Sequence, residues 1–344
     1  MEAAVVDLTS ITGQDRDMST RWGMTVPLGG VPLAEHAAVY AALTDAGFTD
    51  LWSSEVAGTD AFTPLTLAAV WQPQARLGTA ITPVFTRGPA LLAMTAAALA
   101  EVAPGRFQLG IGASSPVVVG DWNAAEFTKP FARSRDMLEF LRPALAGELV
   151  DREFETFRIR RFRLERPPAT PPALLLAALR PGMLRLAAAE ADGVILNWLA
   201  ATDVPRALAE AKSDRPDFDV VARIFVCPTE DAAYARTVGR RMIAAYLTVP
   251  AYAEFHRWLG REPALGAMWT AWAAGDRRGA LAAIPDEVVD ELIVHGTPEQ
   301  CREHVARYAE AGVDVPVMAL VPTPELEQGG ATALTGLFAR LGPA

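Results

Sequence analysis

A loop of small residues follows one of the most apolar segments of this 344-residue chain. Residues 107–111 have the pattern of a buried strand, and Gly112, Ala113, Ser114 and Ser115 follow directly. In parallel α/β folds, ligands bind at the carboxyl ends of the strands. Small side chains let a planar ring approach the backbone, and the two hydroxyls can hydrogen-bond to it. The sequence therefore predicts ligand contacts in this loop, although a tight turn would need similar residues.

A second candidate site combines a guanidinium with the start of a helix. Arg180 precedes Pro181, a residue that suits the first helical position. Free backbone N–H groups and the positive end of the helix dipole attract anions, and arginine binds phosphate through two parallel hydrogen bonds. An ordinary helix start is the alternative. The residues expected to contact an anionic ligand group are Ala178, Arg180, Gly182 and Met183.

Few side chains could act as an acid or a base in such a site. Glu55 comes just after the second predicted strand and is the candidate catalytic residue. Of the four histidines, His36 and His304 fall on outer helices, and His295 falls in the loop before the last-but-one helix. His256, in a long helical insertion, could reach a substrate, although a solvated position on a helix surface is more common.

Strands and helices alternate along the chain. Strands that are buried on both faces have continuous apolar runs, and each parallel pair needs a crossover helix. The predicted strands cover 24–27, 50–53, 77–81, 107–111, 174–178, 193–196, 220–226 and 315–321. The predicted helices cover 33–46, 62–71, 89–102, 129–146, 183–190, 204–212, 298–311 and 331–341. Eight strand–helix units predict the α/β class and a (β/α)8 TIM barrel.

Two segments do not fit the alternation of one strand with one helix. The predicted organisation is an irregular extension over 1–20 and a single barrel domain over 21–344, with insertions at about 147–171 and 240–285. The first insertion alternates apolar residues with arginines, which favours extended structure. The second belongs to a helical stretch over 231–281, which is too long for one barrel helix and predicts a helical cap.

Two helices carry more detailed signals. Helical spacing in 129–146 places four apolar residues on one stripe, namely Phe131, Leu138, Leu141 and Leu145. Thr297, Pro298 and Gln300 form a capping box with proline at the first helical position.

Composition excludes several classes of function. The net charge of −10 argues against a nucleic-acid partner, which requires a basic face. Apolar runs fall short of the roughly 18 residues that a membrane span needs. Cys227 and Cys301 are far apart and not in a metal-binding spacing, so we expect no metal site and a reduced, cytoplasmic location.

Three segments resemble the luciferase-like flavin and deazaflavin oxidoreductases. They are GTAITPVFTRGP, PGRFQLGIGASSP and AALRPGMLRLAAAEADGVILNW. The resemblance covers about 22–325 and implies a barrel of the bacterial luciferase type. It also implies a non-proline cis peptide bond at Ala80–Ile81 behind the redox ring and a cofactor phosphate near the end of strand five. The cofactor contacts that it implies are Ala80, Ile81, Thr82, Gly112, Ala113, Ser114, Ser115, Ala178, Arg180, Gly182, Met183 and Asn197.

The sequence departs from the family members that oxidise alcohols, which place a histidine just after strand two. Val56 occupies that position, next to Glu55. Without a base to take a hydroxyl proton, hydride addition to a C=C or C=N bond of a small organic substrate is the expected reaction. Glu55 would then bind a ring substituent of the cofactor or relay a proton. The resemblance implies coenzyme F420, a deazaflavin; an FMN-dependent monooxygenase and a non-catalytic flavin-binding barrel are the alternatives.

Aromatic residues suggest a substrate pocket, although packing between cap helices or across a dimer would use them equally. The predicted substrate contacts are Trp198, His256, Trp258 and Trp269. Arginines between 158 and 166 could meet the acidic tail of a deazaflavin, and a solvated basic strand face is the alternative. The resemblance also implies a homodimer.

Overall fold

The chain forms a barrel with a small hairpin and surrounding helices. The computed structural model describes residues 21–343, apart from the side chains of residue 325 and of residues 327–332. The extension predicted over 1–20 lies outside the described residues. In the described part, the strands are β1 (Gly23–Thr25), β2 (Asp50–Ser53), β3 (Arg76–Thr79), β4 (Thr82–Pro83), β5 (Phe107–Gly112), β6 (Val150–Glu153), β7 (Arg158–Phe162), β8 (Ala173–Ala177), β9 (Gly193–Asn197), β10 (Asp219–Cys227), β11 (Ile293–His295) and β12 (Val315–Leu320).

Eight of these strands close into a ring in which every neighbouring pair is parallel. Around the ring the order is β1, β2, β3, β5, β8, β9, β10 and β12, and β12 pairs with β1. β4 continues the line of β3 and pairs with β5, whereas β11 pairs with the far end of β10 outside the ring. β6 and β7 form a separate antiparallel hairpin. The predicted (β/α)8 TIM barrel is confirmed.

Helices cover the outside of the barrel, as crossover connections between parallel strands require. Over the described residues they are α1 (His36–Asp45), α2 (Phe62–Trp71), α3 (Pro89–Val102), α4 (Pro130–Leu145), α5 (Pro181–Glu190), α6 (Val204–Glu210), α7 (Ala232–Leu247), α8 (Pro250–Trp258), α9 (Glu262–Ala273), α10 (Arg277–Ala282), α11 (Asp286–Leu292), α12 (Pro298–Glu310) and α13 (Pro324–Leu341). The predicted capping box is present at α12, where the Thr297 oxygen accepts from the Gln300 N–H and the Gln300 side chain accepts from the Thr297 N–H.

Four expectations about the elements are wrong. The third strand ends at Thr79, because a cis peptide bond follows and interrupts the ladder. His295 is not in a loop, because the chain after α11 pairs with the end of β10. Phe131 leaves the predicted core stripe and is 45% exposed, since it occupies the first turn of α4 at the mouth of the barrel. The last helix begins at Pro324 rather than 331, because Thr323 caps it.

The interior of the barrel is filled by a cluster of apolar side chains, here called the central layer. Its buried members are Trp52, Leu175, Ile195, Val221, Val315 and Val317. A larger apolar core lies between the strands and the outer helices. The filled interior is typical of TIM barrels and makes the barrel a packed core rather than a pore.

The Trp52 ring is accommodated by glycines on the neighbouring strands. A Cβ at Gly78 would overlap the indole ring of Trp52, and one at Gly23 would lie 3.0 Å from Trp52 Cδ1 and 2.9 Å from Val317 Cγ2. At Gly110 an added Cβ would collide with the carbonyl oxygen of Thr79. Each glycine therefore provides the volume that the central layer occupies.

A polar network closes the amino end of the barrel. The Arg21 guanidinium forms ion pairs with Asp50 at 2.8 Å and with Asp219 at 2.9 Å, and Gln108 donates to Asp219. Burial alone would lower the pKa of Arg21, but the charges and hydrogen bonds of the two carboxylates raise it above its usual value. Arg21 therefore stays charged and links three strands through their side chains.

We expect Gly78→Ala to destabilise the protein because the new methyl group would overlap the buried Trp52 ring. Overpacking of this kind costs about 1–3 kcal/mol, measured as a lower free energy of unfolding in a urea titration. Gly266→Ala is the matched control, since Gly266 lies within α9 and an added Cβ meets no atom within 4 Å. Removing a helix-interior glycine should leave stability unchanged or raise it by up to about 1 kcal/mol. Equal effects of the two substitutions would contradict the packing argument.

Candidate functional site

A cavity of about 710 Å³ opens at the carboxyl ends of the barrel strands. Its walls include Ala80 after β3, Gly112 at the end of β5, Ala177 at the end of β8, Asn197 at the end of β9 and Arg223 on β10. This is the end at which TIM barrels bind their ligands. Nine of the twelve predicted cofactor contacts line this cavity, namely Ala80, Ile81, Gly112, Ala113, Ser114, Arg180, Gly182, Met183 and Asn197.

The peptide bond between Ala80 and Ile81 is cis, as the family resemblance implied. The loop after β2 holds this bond through the backbone: the Ala80 N–H donates to the Ser53 carbonyl at 2.6 Å, and the Glu55 N–H donates to the Ile81 carbonyl at 3.1 Å. Thr82, the next predicted contact, is fully buried in β4 and does not reach the cavity. That expectation is corrected because β4 turns the side chain into the core.

The small-residue loop after β5 forms another wall. Ser114 has a positive φ of 63°, which turns the chain away from the strand direction. Ser115 is not among the lining residues, and its hydroxyl oxygen accepts from the Val118 N–H at 3.3 Å. Its predicted ligand contact is therefore replaced by a local turn bond, while Gly112, Ala113 and Ser114 remain on the lining.

The turn at Arg180 joins β8 to α5. Arg180 is the N-cap, Pro181 is the first helical residue, and the N–H groups of Gly182 and Met183 belong to the first turn of the helix. Because such groups have no partner within the helix, they favour a bound anion, and the exposed Arg180 adds a positive charge beside them. Ala178 is buried, donates its N–H to the Ile195 carbonyl and does not line the cavity, which corrects its predicted contact.

Glu55 does not face the main cavity. It lines a separate pocket of about 480 Å³ together with Asp60 and Arg87. The Arg87 Nε donates to the Glu55 carboxylate at 2.9 Å, and this hydrogen bond is the largest cause that raises the pKa of Arg87. The Glu55 carboxylate is thus paired with a guanidinium outside the main cavity, and its catalytic role stays a prediction.

The predicted substrate residues also lie off the cavity. Trp198 is 1% exposed and packs on Phe225, with ring centroids 4.4 Å apart. Trp258 stacks on Phe255, and the Trp269 Nε1 donates to the Leu247 carbonyl at 2.8 Å. The ring stacking of Trp258 lies within α8, the hydrogen bond of Trp269 joins α9 to α7, and Trp198 packs on β10, so the packing alternative accounts for these residues.

His256 is fully buried in α8 and does not line the cavity, which corrects its predicted substrate contact. Burial, and then the nearby charge of Arg261, lower the pKa of His256 to about 3. The imidazole is therefore neutral at physiological pH and forms part of the core.

Sequence reasoning missed three polar residues on the cavity wall, Arg223, Tyr252 and Glu254. Arg223 is the one charged side chain within the run from Val220 to Cys227, and its alternation with Val221 was the available signal. Burial raises the pKa of Tyr252 to about 12, which keeps its hydroxyl protonated at neutral pH. The Asn197 Nδ2 donates to this hydroxyl at 3.4 Å.

The remaining sequence-based expectations concern the arginines near the hairpin, a metal site and a membrane-spanning helix. The arginines of β7 and the loop after it pair with surface groups, as in Arg160 with Asp151 and Arg166 with Glu101, and they do not line the cavity. Over the described residues, no cluster of metal-ligating side chains is present. None of the described helices has the length and apolar character needed to cross a membrane.

We expect His256→Gln to flatten the acid side of the stability profile. The folded protein holds the pKa of His256 at about 3, whereas the unfolded chain titrates near 6.5. As the pH falls below 6.5, only the unfolded state gains this proton, so stability is lost down to about pH 3 by up to about 1.4 kcal/mol per pH unit. Unfolding free energies of the protein and the variant between pH 7 and 4 test this. Parallel profiles would rule it out.

Comparison with known proteins agrees with this geometry. A relative from Mycobacterium tuberculosis is named as a putative coenzyme F420-dependent oxidoreductase. It is 29% identical, and the match covers 84% of this chain and 92% of the relative. A 5,10-methylenetetrahydromethanopterin reductase from Archaeoglobus fulgidus is 28% identical over 78% of this chain and 84% of its own.

Solved structures share the fold. The F420-dependent tetrahydromethanopterin reductase of Methanopyrus kandleri has a TM-score of 0.72 and 19% identity, with 93% of this chain and 97% of that chain covered. An F420-dependent secondary alcohol dehydrogenase has a TM-score of 0.73 and 15% identity, with 94% and 98% covered. Residues 1–315 match the luciferase-like monooxygenase family, and the chain belongs to that family.

Proposed function

We propose that this protein is a coenzyme F420-dependent oxidoreductase that reduces a C=C or C=N bond of a small organic substrate by hydride transfer. One observation carries the proposal: the same cavity is lined by the cis Ala80–Ile81 segment, the Gly112–Ser114 loop and the Arg180 turn. The relatives and solved structures that are named as F420-dependent support the same cofactor.

The cavity suits a planar ring at the wall formed by β3 and β5. Its volume of about 710 Å³ lies within the range of cofactor and ligand sites. An added Cβ at Gly112 would lie 3.0 Å from Ala177 Cβ and 3.2 Å from Ile81 Cγ1. Because Gly112 has no side chain, it does not crowd this wall of the cavity. Ile81 and Ala113 can then contact a ring through their apolar surface.

The Arg180 turn suits the phosphate of the cofactor. The first-turn N–H groups of Gly182 and Met183 and the Arg180 guanidinium lie on one side of the cavity. A phosphate placed there would accept hydrogen bonds and lie at the positive end of the α5 dipole. Ring contacts and phosphate contacts thus come from adjacent strands, β5 and β8.

The chain itself supplies binding, orientation and exclusion of water. When bound in its reduced form, coenzyme F420 supplies the hydride. The apolar lining, with Ile81, Leu179 and Ile195, shields the site from water. In the part of the chain that the structure describes, no histidine lines the cavity, so the histidine that the alcohol-oxidising members place there has no counterpart among these residues.

FMN-dependent monooxygenation is the second candidate. It is favoured by the description of the matched family, which is that of luciferase-like monooxygenases. The two candidates differ in a measurable way, because a deazaflavin reacts poorly with oxygen. Purified protein that retains FMN and consumes oxygen would favour the monooxygenase and overturn our proposal.

We expect Arg180→Met to weaken the binding of coenzyme F420 about tenfold, or ~1.4 kcal/mol, because the phosphate loses a charge-assisted hydrogen bond. Fluorescence titration measures the dissociation constant. The deazaflavin riboside, which lacks the phosphate and the acidic tail, should bind the protein and the variant equally. Arg185→Met is the matched control, since Arg185 lies one turn further along α5 and pairs with Glu210.

Two results would contradict the phosphate assignment. One is an equal loss of F420 binding in Arg185→Met, which would indicate a general effect of charge on α5. The other is an equal loss of riboside binding in Arg180→Met, which would place the arginine at the ring. Oxidation of reduced F420 by a panel of unsaturated and imine acceptors then tests catalysis, and the absence of turnover with all of them would favour the non-catalytic alternative.

The homodimer and the cytoplasmic location stay predictions, and an apolar outer face supports the former. α2 and α3 pack side by side and expose four apolar residues, each at least 45% accessible: Val70, Leu91, Met94 and Val102. If a second copy covers this face, Met94→Glu will convert the dimer to a monomer in light scattering, because an unpaired buried charge is costly. Arg185→Met should keep the dimer. A monomeric parent protein would contradict the prediction.

A further inference from the structure

Among the described residues, no carboxylate acts on the guanidinium that lies on the β10 side of the cavity. Arg223 lies two residues beyond Val221 on β10, so its side chain follows the central apolar layer toward the cavity. Its Nε is buried and has no hydrogen-bond partner within the described ranges. In the described part of the chain, the polar groups that act on it are the hydroxyls of Tyr246 and Tyr252.

A second donor lies beside this guanidinium. Asn197 is the neighbour of Arg223 across the β9–β10 ladder, and its Nδ2 donates to the Tyr252 hydroxyl at 3.4 Å. The Asn197 Oδ1 is already occupied, because it accepts from the Trp198 N–H at 3.0 Å. Since the Tyr252 oxygen accepts from Asn197, its hydroxyl hydrogen remains available to a ligand.

These donors stand opposite the wall assigned to the redox ring. Around the eight-stranded ring the order runs β3, β5, β8, β9, β10, so β10 is four places from β3. The cis Ala80–Ile81 bond follows β3, and the Arg180 turn follows β8. Arg223 therefore faces the part of the cavity that ring and phosphate leave to a substrate.

An unpaired guanidinium in such a place favours a negatively charged ligand. Removing a cation from water is unfavourable unless a counter-charge and hydrogen bonds compensate for it. The guanidinium of Arg223 also lies 4.8 Å from the Phe225 ring centroid, a contact that orients it without neutralising it. Arginine and a neighbouring hydroxyl match a carboxylate, which accepts hydrogen bonds on both oxygens.

We propose that Arg223 and Tyr252 form a subsite for a carboxylate of the substrate, so that the substrate class is unsaturated or imine-bearing carboxylic acids. The assignment of this carboxylate to the substrate rests on the proposed function, because the cofactor then occupies the other walls. The acidic tail of coenzyme F420 is the other source of a carboxylate, and the test separates the two.

The test compares carboxylates with their neutral amides. Benzoate and benzamide, cinnamate and cinnamamide, and crotonate and crotonamide are titrated calorimetrically into the protein, both free and saturated with F420. We expect each carboxylate to bind at least about tenfold more tightly than its amide. Arg223→Met should abolish this preference, Arg223→Lys should restore part of it, and Tyr252→Phe should reduce it.

Binding of F420 to the same variants identifies the source of the carboxylate. We expect Arg223→Met to leave the F420 dissociation constant unchanged and Arg180→Met to leave the carboxylate preference unchanged. A loss of F420 affinity in Arg223→Met, with the carboxylate preference retained, would assign the arginine to the cofactor and overturn the proposal. No carboxylate preference in any pair would overturn it as well. A preference that persists in a protein unable to bind F420 would support the subsite while refuting the proposed function.

Arg223→Lys retains the charge, so it keeps the test informative if Arg223→Met does not fold. A folded Arg223→Lys protein that has no carboxylate preference would also count against the subsite. Circular dichroism spectra verify the folded state of each variant before titration.

Discussion

Closure of eight parallel strands around one filled interior is the constraint on which the rest of the structure depends. The Trp52 ring occupies the centre of this interior, and it fits because Gly78 and Gly23 present no side chain to it. The amino end is closed separately by the Arg21 network with Asp50 and Asp219. In the described part of the chain, the cavity accordingly lies above the central layer, at the carboxyl ends of the strands.

This placement divides the cavity by strand. The strands from β3 to β8 contribute backbone features to the cavity. These are the cis bond after β3, Gly112 at the end of β5 and the first turn of α5 after β8. Such features contact a ligand mainly through shape and N–H groups. β9, β10 and α8 bring side chains instead, with Asn197, Arg223 and Tyr252 on the lining. The first set suits a group of fixed structure, such as a cofactor, and the second suits discrimination among substrates.

The sequence predicts features that consist of consecutive residues better than features that depend on contacts between residues far apart in the chain. The small-residue loop and the Arg180 turn each consist of a few consecutive residues, and the sequence alone predicts both. Glu55 was misplaced because its partner, Arg87, is 32 residues away and its pairing takes the carboxylate out of the cavity. The tryptophans were misplaced because aromatic density alone does not distinguish a pocket from helix packing. Phe131 was assigned to the core, although it lies on the cavity lining, because helical spacing does not say where a first turn lies relative to the barrel mouth.

The burial of Arg223 at the cavity cannot be recognised from the sequence pattern of its strand. In the sequence it is one charge within an apolar strand, and nothing local distinguishes it from an arginine whose head reaches solvent. The strand register places it beside Asn197 and above Val221, where no carboxylate of the described residues acts on its charge. Arg180 differs because it is exposed, so water screens its charge and the helix dipole shares its role. A partly desolvated charge distinguishes ligands more strongly than a screened one, because its interaction with a counter-charge is less weakened by solvent. The two proposals together divide recognition between the arginines, with a phosphate assigned to Arg180 at the rim and a negative group assigned to Arg223 within the cavity.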